Sequence, residues 1–167
     1  MTKEEVVTAL GMEPLAGEGG MFKKMFRSDE ILPAVLPGRV GPHVVYGSIL
    51  YLLTRDSVSR MHRLPTDEIW HFYGGASCET TVLCPDGTGY VNRLGSDLLH
   101  GEMPTALVPR GCWQGTRIVG DGEWALLGTT MAPDYEDCDY EDGTNDLITA
   151  YPAFADVLPT LLQRPEV

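Results

Sequence analysis

A chain of 167 residues, 43% hydrophobic and 22% charged, has the size and composition of one globular domain with a buried core, which excludes a wholly disordered or fibrous protein. Lysine and arginine number 12 against 24 aspartates and glutamates, a net charge of −12. That balance opposes the counterion release that drives most nucleic-acid binding, so nucleic acid is excluded as a partner.

The opening MTKEEVV carries no basic segment followed by an apolar run, and no apolar stretch approaches a membrane span. A cytoplasmic protein with neither signal peptide nor membrane segment is expected. Thr2 and Glu5 fit a capping box ahead of the amphipathic VVTALGM, so the chain opens with a helix of about two turns, closed off by Pro14 and the glycines of AGEGG. From Met21 onward Gly, Pro and Asp punctuate short β-rich runs, and no long helical period interrupts them. Nine strands are predicted in MFKKMFRS, VVYGSILYLLT, VSRMHRL, EIWHFYGG, CETTVLCP, GYVNRLG, TALVPRG, WQGTRIVG and EWALLGTTMAP, which predicts an all-β sandwich or barrel. The C-terminal LITAYPAFADVLPTLLQ returns to helical spacing, interrupted by Pro152 and Pro159, and is expected to cap one side of the barrel. No internal repeat or linker appears, so residues 1–167 read as a single domain.

Ser59–Gly75, SRMHRLPTDEIWHFYGG, concentrates the polar chemistry. Side chains alternate across a strand, so Arg60, His62 and Leu64 share one face and Glu68, Trp70 and Phe72 share another, with His71 pointing away from Glu68. If the two strands pair through the short PTD turn and both faces point inward, His62 and Glu68 meet on an interior floor walled by Trp70 and Phe72. A carboxylate beside an imidazole in a partly apolar cavity suits proton abstraction next to a carbonyl, with His62 and Glu68 as the catalytic pair. The bland alternative is that the two groups satisfy each other in the core. Tyr51 is read as a phenolic donor to substrate or as core packing with an exposed hydroxyl, and Arg60 as a partner for an anionic substrate or a surface acid. Trp113 and Trp124 are weaker candidates for the cavity wall than Trp70. The four cysteines, Cys78, Cys84, Cys112 and Cys138, lack C-x-x-C spacing and read as thiols; Cys112 has no evident base beside it. His43 and His100 fall in Pro/Gly-rich sequence and are expected to be solvated. The acidic run PDYEDCDYEDGTNDL reads as a solvated face or as a divalent-cation loop, although calcium-loop spacing is not matched.

These residues carry a family resemblance. His62, Leu64, Glu68 and Gly75 occupy the places of the first cupin motif, and Pro109, Gly111 and Gln114 those of the second. His62 to Gly75, Leu94 to Gln114, Ala132 to Asp137 and Glu18 to Gly20 further resemble one short single-domain cupin subfamily, mostly of uncharacterised function. The resemblance implies a double-stranded β-helix (jelly-roll barrel) with a short N-terminal helix and a C-terminal helical segment, and a homodimer formed through sheet edges such as MFKKMFRS. Metal-binding cupins supply three imidazoles and a carboxylate; here two of the imidazole places hold Leu64 and Gln114. Two good ligands do not hold a transition metal tightly, so no cofactor is expected, the alternative being a weakly held divalent ion on His62, Glu68 and Gln114.

One fold hosts many chemistries. The leading expectation is a cupin enzyme of isomerase, epimerase, lyase or dehydratase type, acting on a polar, oxygen-rich small molecule with His62 and Glu68, and with Tyr51, Arg60, Trp70, Phe72 and Gln114 binding substrate. The alternatives are a non-catalytic small-ligand-binding cupin and a metal-dependent oxygenase or decarboxylase.

Overall fold

The computed structural model describes residues 1–33, 39 and 41–163. Helix α1, Lys3–Leu10, begins with the expected capping box: the Thr2 hydroxyl accepts from the Glu5 amide, and the Glu5 carboxylate accepts from the Thr2 amide at 2.8 Å. Gly11, in the left-handed region at φ 61°, ends it.

The strands follow in chain order: β1 Glu13–Pro14, β2 Met21–Arg27, β3 Ile31–Leu32, β4 His43–Val44, β5 Gly47–Thr54, β6 Ser59–Arg63, β7 Glu68–Gly75, β8 Cys78–Leu83, β9 Gly89–Leu94, β10 Thr105–Val108, β11 Trp113–Ile118, β12 Trp124–Met131 and β13 Glu141–Asp142. All nine predicted strands are present. The four two-residue pairings, β1, β3, β4 and β13, are too short to carry an alternating pattern of their own. Short helices α2, Asp146–Ala150, and α3, Leu158–Leu161, complete the chain, and Pro159 sits in the first turn of α3, where a missing amide costs nothing.

Two antiparallel sheets form the body, one in the order β1-β2-β5-β12-β7-β10 and one in the order β13-β6-β11-β8-β9. They face each other across a shared core to which Tyr51, Leu53, Trp70, Val108 and Leu127 contribute from the first sheet and Cys78, Val82 and Leu94 from the second. The outer face of the second sheet is covered as expected by the C-terminal segment: Leu147, Tyr151, Leu158 and Leu161 pack on Met61 and Leu83. Helix α1, through Val6, and Met12 just after it cover one end of the first sheet's outer face against Leu52. Edge strand β2 pairs with β1 only at Met21 and Phe22, which leaves Lys23–Arg27 without a partner on that side among the described residues.

One expectation is corrected. β6 and β7 do not pair; β6 lies between β11 and β13, and β7 between β12 and β10. The PTD turn is a corner that carries the chain from one sheet to the other, so His62 and Glu68 look at the interior from opposite sheets. No helix among the described residues is long and apolar enough to cross a membrane.

Candidate active site

The interior is divided along its length. Its apolar part holds Leu53, Cys78, Val82, Leu94, Ala125 and Leu127; its polar part gathers His62, Glu68, Gln114, Ser59 and Arg60, all buried. Register explains the grouping: Gln114 on β11 stands opposite His62 on β6, and a bulge between Gln114 and Thr116 turns Ser59 toward the same region.

A chain of hydrogen bonds links the two sheets. Trp70 Nε1, which can only donate, gives its hydrogen to Gln114 Oε1 at 2.9 Å, and this orients the amide so that Gln114 Nε2 donates to Glu68 Oε2 at 2.6 Å. Burial pushes the Glu68 carboxyl above the ordinary carboxylate range; the nearby His62 and the hydrogen bonds from Thr129 and Gln114 pull it back in part, while Glu18 pushes it further up. His62 does not hydrogen-bond Glu68. Its Nδ1 lies 2.7 Å from the Arg60 carbonyl, and its ring stacks on Tyr140 at 5.1 Å between centroids and 16° between planes. The two groups are electrostatic neighbours rather than a bonded pair.

Tyr51 lies wholly inside, edge-on to Trp70 at 5.7 Å, and its hydroxyl donates to the Gly19 carbonyl at 2.6 Å. The alternative of core packing with an exposed hydroxyl is therefore corrected: the ring packs in the core and its hydroxyl is buried and bonded. Arg60 is also buried: Nη1 donates to the Gly17 carbonyl at 2.9 Å and pairs with Asp142 at 3.0 Å. Phe72 is half-buried against the apolar core. His71 points away, as expected, to Thr130 at 3.0 Å. Trp113 and Trp124 stand outside the barrel, the first beneath the Arg63 guanidinium and the second against Met1.

Several contributors carried no local signal. Glu18 reaches the interior from the loop between β1 and β2, where its carboxylate accepts from the Ser59 hydroxyl at 2.5 Å. The neighbouring glycines make that approach sterically feasible. Gly19 has φ +99° and a Cβ there would stand 2.5 Å from the Val58 carbonyl oxygen; Gly20 has φ +69° and a Cβ would crowd the Leu52 carbonyl and the Tyr51 hydroxyl at 2.9 Å. EGG in the sequence was the available clue.

The acidic run is not simply solvated. Asp134 pairs with Arg27, Glu136 and Asp139 with Arg39, Glu141 with Arg63 and Asp142 with Arg60. His43, expected in solvent, is instead buried with Nδ1 2.9 Å from Glu136 Oε1. His100 is exposed, with Asp97 as its partner. All four cysteines are free. Cys112 is buried, and desolvation first, then Cys84, pushes its thiol up to about 11, the opposite of what a nucleophile needs.

The donor set does not fit a tightly bound transition metal. Leu64 offers no ligand atom, Gln114 spends its oxygen on Trp70 and its nitrogen on Glu68, and no three His, Cys, Asp or Glu side chains among the described residues gather as ligands.

A solved protein from Shewanella oneidensis, SO0799, is 32% identical, with 99% of each chain covered and a TM-score of 0.84. A hypothetical protein from Leishmania major is 23% identical over 98% of this chain and 100% of that one, TM-score 0.88. Oxalate decarboxylase from Bacillus subtilis, 17% identical over 93% of this chain and 38% of that one at TM-score 0.56, shares the fold alone. No curated protein matches the chain. The model of the family described as cupin superfamily (DUF985) matches residues 4–142, and the chain belongs to that family.

Proposed function

We propose that this chain is a cytoplasmic small-molecule enzyme of isomerase or lyase type, which moves protons on a polar, oxygen-rich metabolite with His62 and Glu68 and without a tightly held metal. The observation that carries the reading is the 2.7 Å contact of His62 Nδ1 with the Arg60 carbonyl. A carbonyl can only accept, so Nδ1 carries a proton there, and Nε2 is the nitrogen left to exchange one with a substrate. Across the interior, burial lets Glu68 hold its proton to higher pH than an exposed carboxyl. A base and an acid held apart by their environments are what proton removal beside a carbonyl, followed by return at another atom, requires. In this reading Tyr51, Trp70 and Phe72 wall the substrate, Gln114 offers its amide, and Arg60 stands at the Glu18 side.

The second reading, a non-catalytic ligand-binding cupin, is favoured by the closed Trp70–Gln114–Glu68 chain, in which each member already has a partner. A metal-dependent oxygenase or decarboxylase is the third, and the donor set counts against it.

Incubation in D2O with a panel of hydroxy acids and keto sugars, followed by proton NMR, separates these readings. Deuterium entering beside a carbonyl with wild type, and not with His62→Ala, is the expected result. Equal exchange in the variant overturns the role of His62, and panel members that raise Tm while remaining chemically unaltered favour the binding reading.

A further inference from the structure

The antiparallel pairing of β8 with β11 runs in unbroken register from Cys78 opposite Ile118 to Leu83 opposite Trp113. One step further the same register sets Cys84 opposite Cys112. Leu83 and Trp113 pack outward with the C-terminal segment, so by alternation the two cysteines point inward: Cys112 belongs to the interior apolar cluster and Cys84 packs against it. Their amides bond elsewhere, Cys84 to the Thr88 carbonyl at 2.8 Å and Cys112 to the Pro109 carbonyl at 3.2 Å. Opposite residues that exchange no backbone hydrogen bond are the closer kind of antiparallel pair. Their Cα atoms stand about 4.5 Å apart, inside the roughly 4.4–6.8 Å that a disulfide spans. Proximity shows in the electrostatics as well: after burial, Cys84 is the largest influence raising the Cys112 thiol, and Tyr151, raised first by burial, feels both cysteines. The Tyr151 hydroxyl also donates to the Cys84 carbonyl at 2.8 Å, which pins the backbone there.

We propose that Cys84 and Cys112 are a redox pair, a second chemical site that hydrogen peroxide converts to an intramolecular disulfide. It does not rest on the acid–base reading of His62 and Glu68. Cys84 meets the oxidant, being half-buried beside the exposed turn at 85–88, whereas Cys112 is buried. The Cys84 thiolate attacks one peroxide oxygen: an S–O bond forms, the O–O bond breaks, and the departing hydroxide takes up the thiol's proton and leaves as water. Cys84 is then a sulfenic acid. The Cys112 sulfur attacks the Cys84 sulfur, the S–S bond forms, the S–O bond breaks, and the hydroxyl leaves as a second water with the Cys112 proton. The two thiols lose two electrons and the peroxide gains them. A thiol held at about 11 attacks peroxide poorly, so Cys112 serves in the second step, where its position opposite Cys84 makes the reaction intramolecular. Asp86 and Asp67, which lie near enough to disfavour the Cys112 thiolate, also repel an anionic disulfide such as oxidised glutathione, and charge thereby selects a neutral peroxide.

The test oxidises the full, reduced chain with hydrogen peroxide and reads thiol count, intact mass and Tm. The four free thiols should fall to two, with the loss of two hydrogens per chain, and dithiothreitol should restore all four. Closure of the loop from Cys84 to Cys112 should raise Tm by about 5 °C or more. Cys84→Ser abolishes the loss of thiols. Cys112→Ser leaves Cys84 without a partner, so that chain gains oxygen at Cys84 instead; the exposed Cys138→Ser oxidises as wild type does. Should Cys112→Ser fail to fold, Cys84→Ser and tandem mass spectrometry of the bridged peptides carry the test. No loss of thiols, a bridge that includes Cys78 or Cys138, oxygen added at Cys84 of wild type without closure, a Tm that fails to rise, or faster oxidation by oxidised glutathione than by peroxide would each overturn the pair.

Discussion

Gln114→Met removes the amide that joins the two sheets and leaves the volume nearly unchanged, so the cavity contribution to its cost is small. Gln114 is 1% exposed. Its loss strands the Trp70 indole N–H and the Glu68 oxygen that it now bonds at 2.9 and 2.6 Å. A buried polar group left without a partner costs ~1–3 kcal/mol, so the pair costs ~2–6 kcal/mol, from a total of ~5–15 kcal/mol for a domain. In a chain of this size ~4 kcal/mol lowers Tm by ~8–16 °C. The cost also depends on pH. Burial raises the Glu68 carboxyl above its unfolded value, so the folded state holds that proton more tightly, and its contribution to stability falls as pH rises from the ordinary carboxylate range through the raised value. The Gln114 N–H stabilises the ionised form and so limits that fall. Its deletion therefore costs more above the window than below it. Urea unfolding of both proteins across that window measures the difference. A cost under ~1 kcal/mol that does not vary with pH would show that Gln114 merely packs, and would refute the bonded-chain reasoning.

Glu68→Gln cannot ionise, so relative to wild type it should gain stability as pH rises through the raised carboxyl value and show no gain below the ordinary carboxylate range; a pH-independent difference would contradict burial as the cause. Leu64→His combined with Gln114→His presents three imidazoles and Glu68, and should create Zn²⁺ or Ni²⁺ affinity in calorimetric titration where wild type shows none that is tight; no gain would mean that these positions do not converge, and tight stoichiometric binding by wild type would overturn the metal-free proposal. The edge at Lys23–Arg27, which has no strand partner on that side among the described residues, with Phe26 66% exposed, underlies the proposal of a homodimer, and light scattering should return twice 18.3 kDa; a monomer at micromolar concentration would refute it.

The parts of this molecule legible in the sequence are those with a local period or a local partner. The helix cap needs only Thr2 and Glu5 three residues apart, and the long strands announce themselves by alternation and by the glycines between them. What sequence spacing cannot supply is which sheet a strand joins. His62 and Glu68 are both buried, yet a hairpin and a corner look the same in LPTDE, and the difference turns a bonded His62–Glu68 pair into two groups on opposite sheets. The acidic run fails for a related reason. Counting charges gives an excess of acid, but Arg27, Arg39, Arg60 and Arg63 come from three separate stretches of chain, and only the fold brings them to Asp134, Asp139, Asp142 and Glu141. The same pairing places Tyr140 over His62. A ligand bound to His62 Nε2 must therefore displace that ring or share the interior with it, which makes the ion pairs of residues 134–142, and not the barrel strands alone, determinants of what reaches His62.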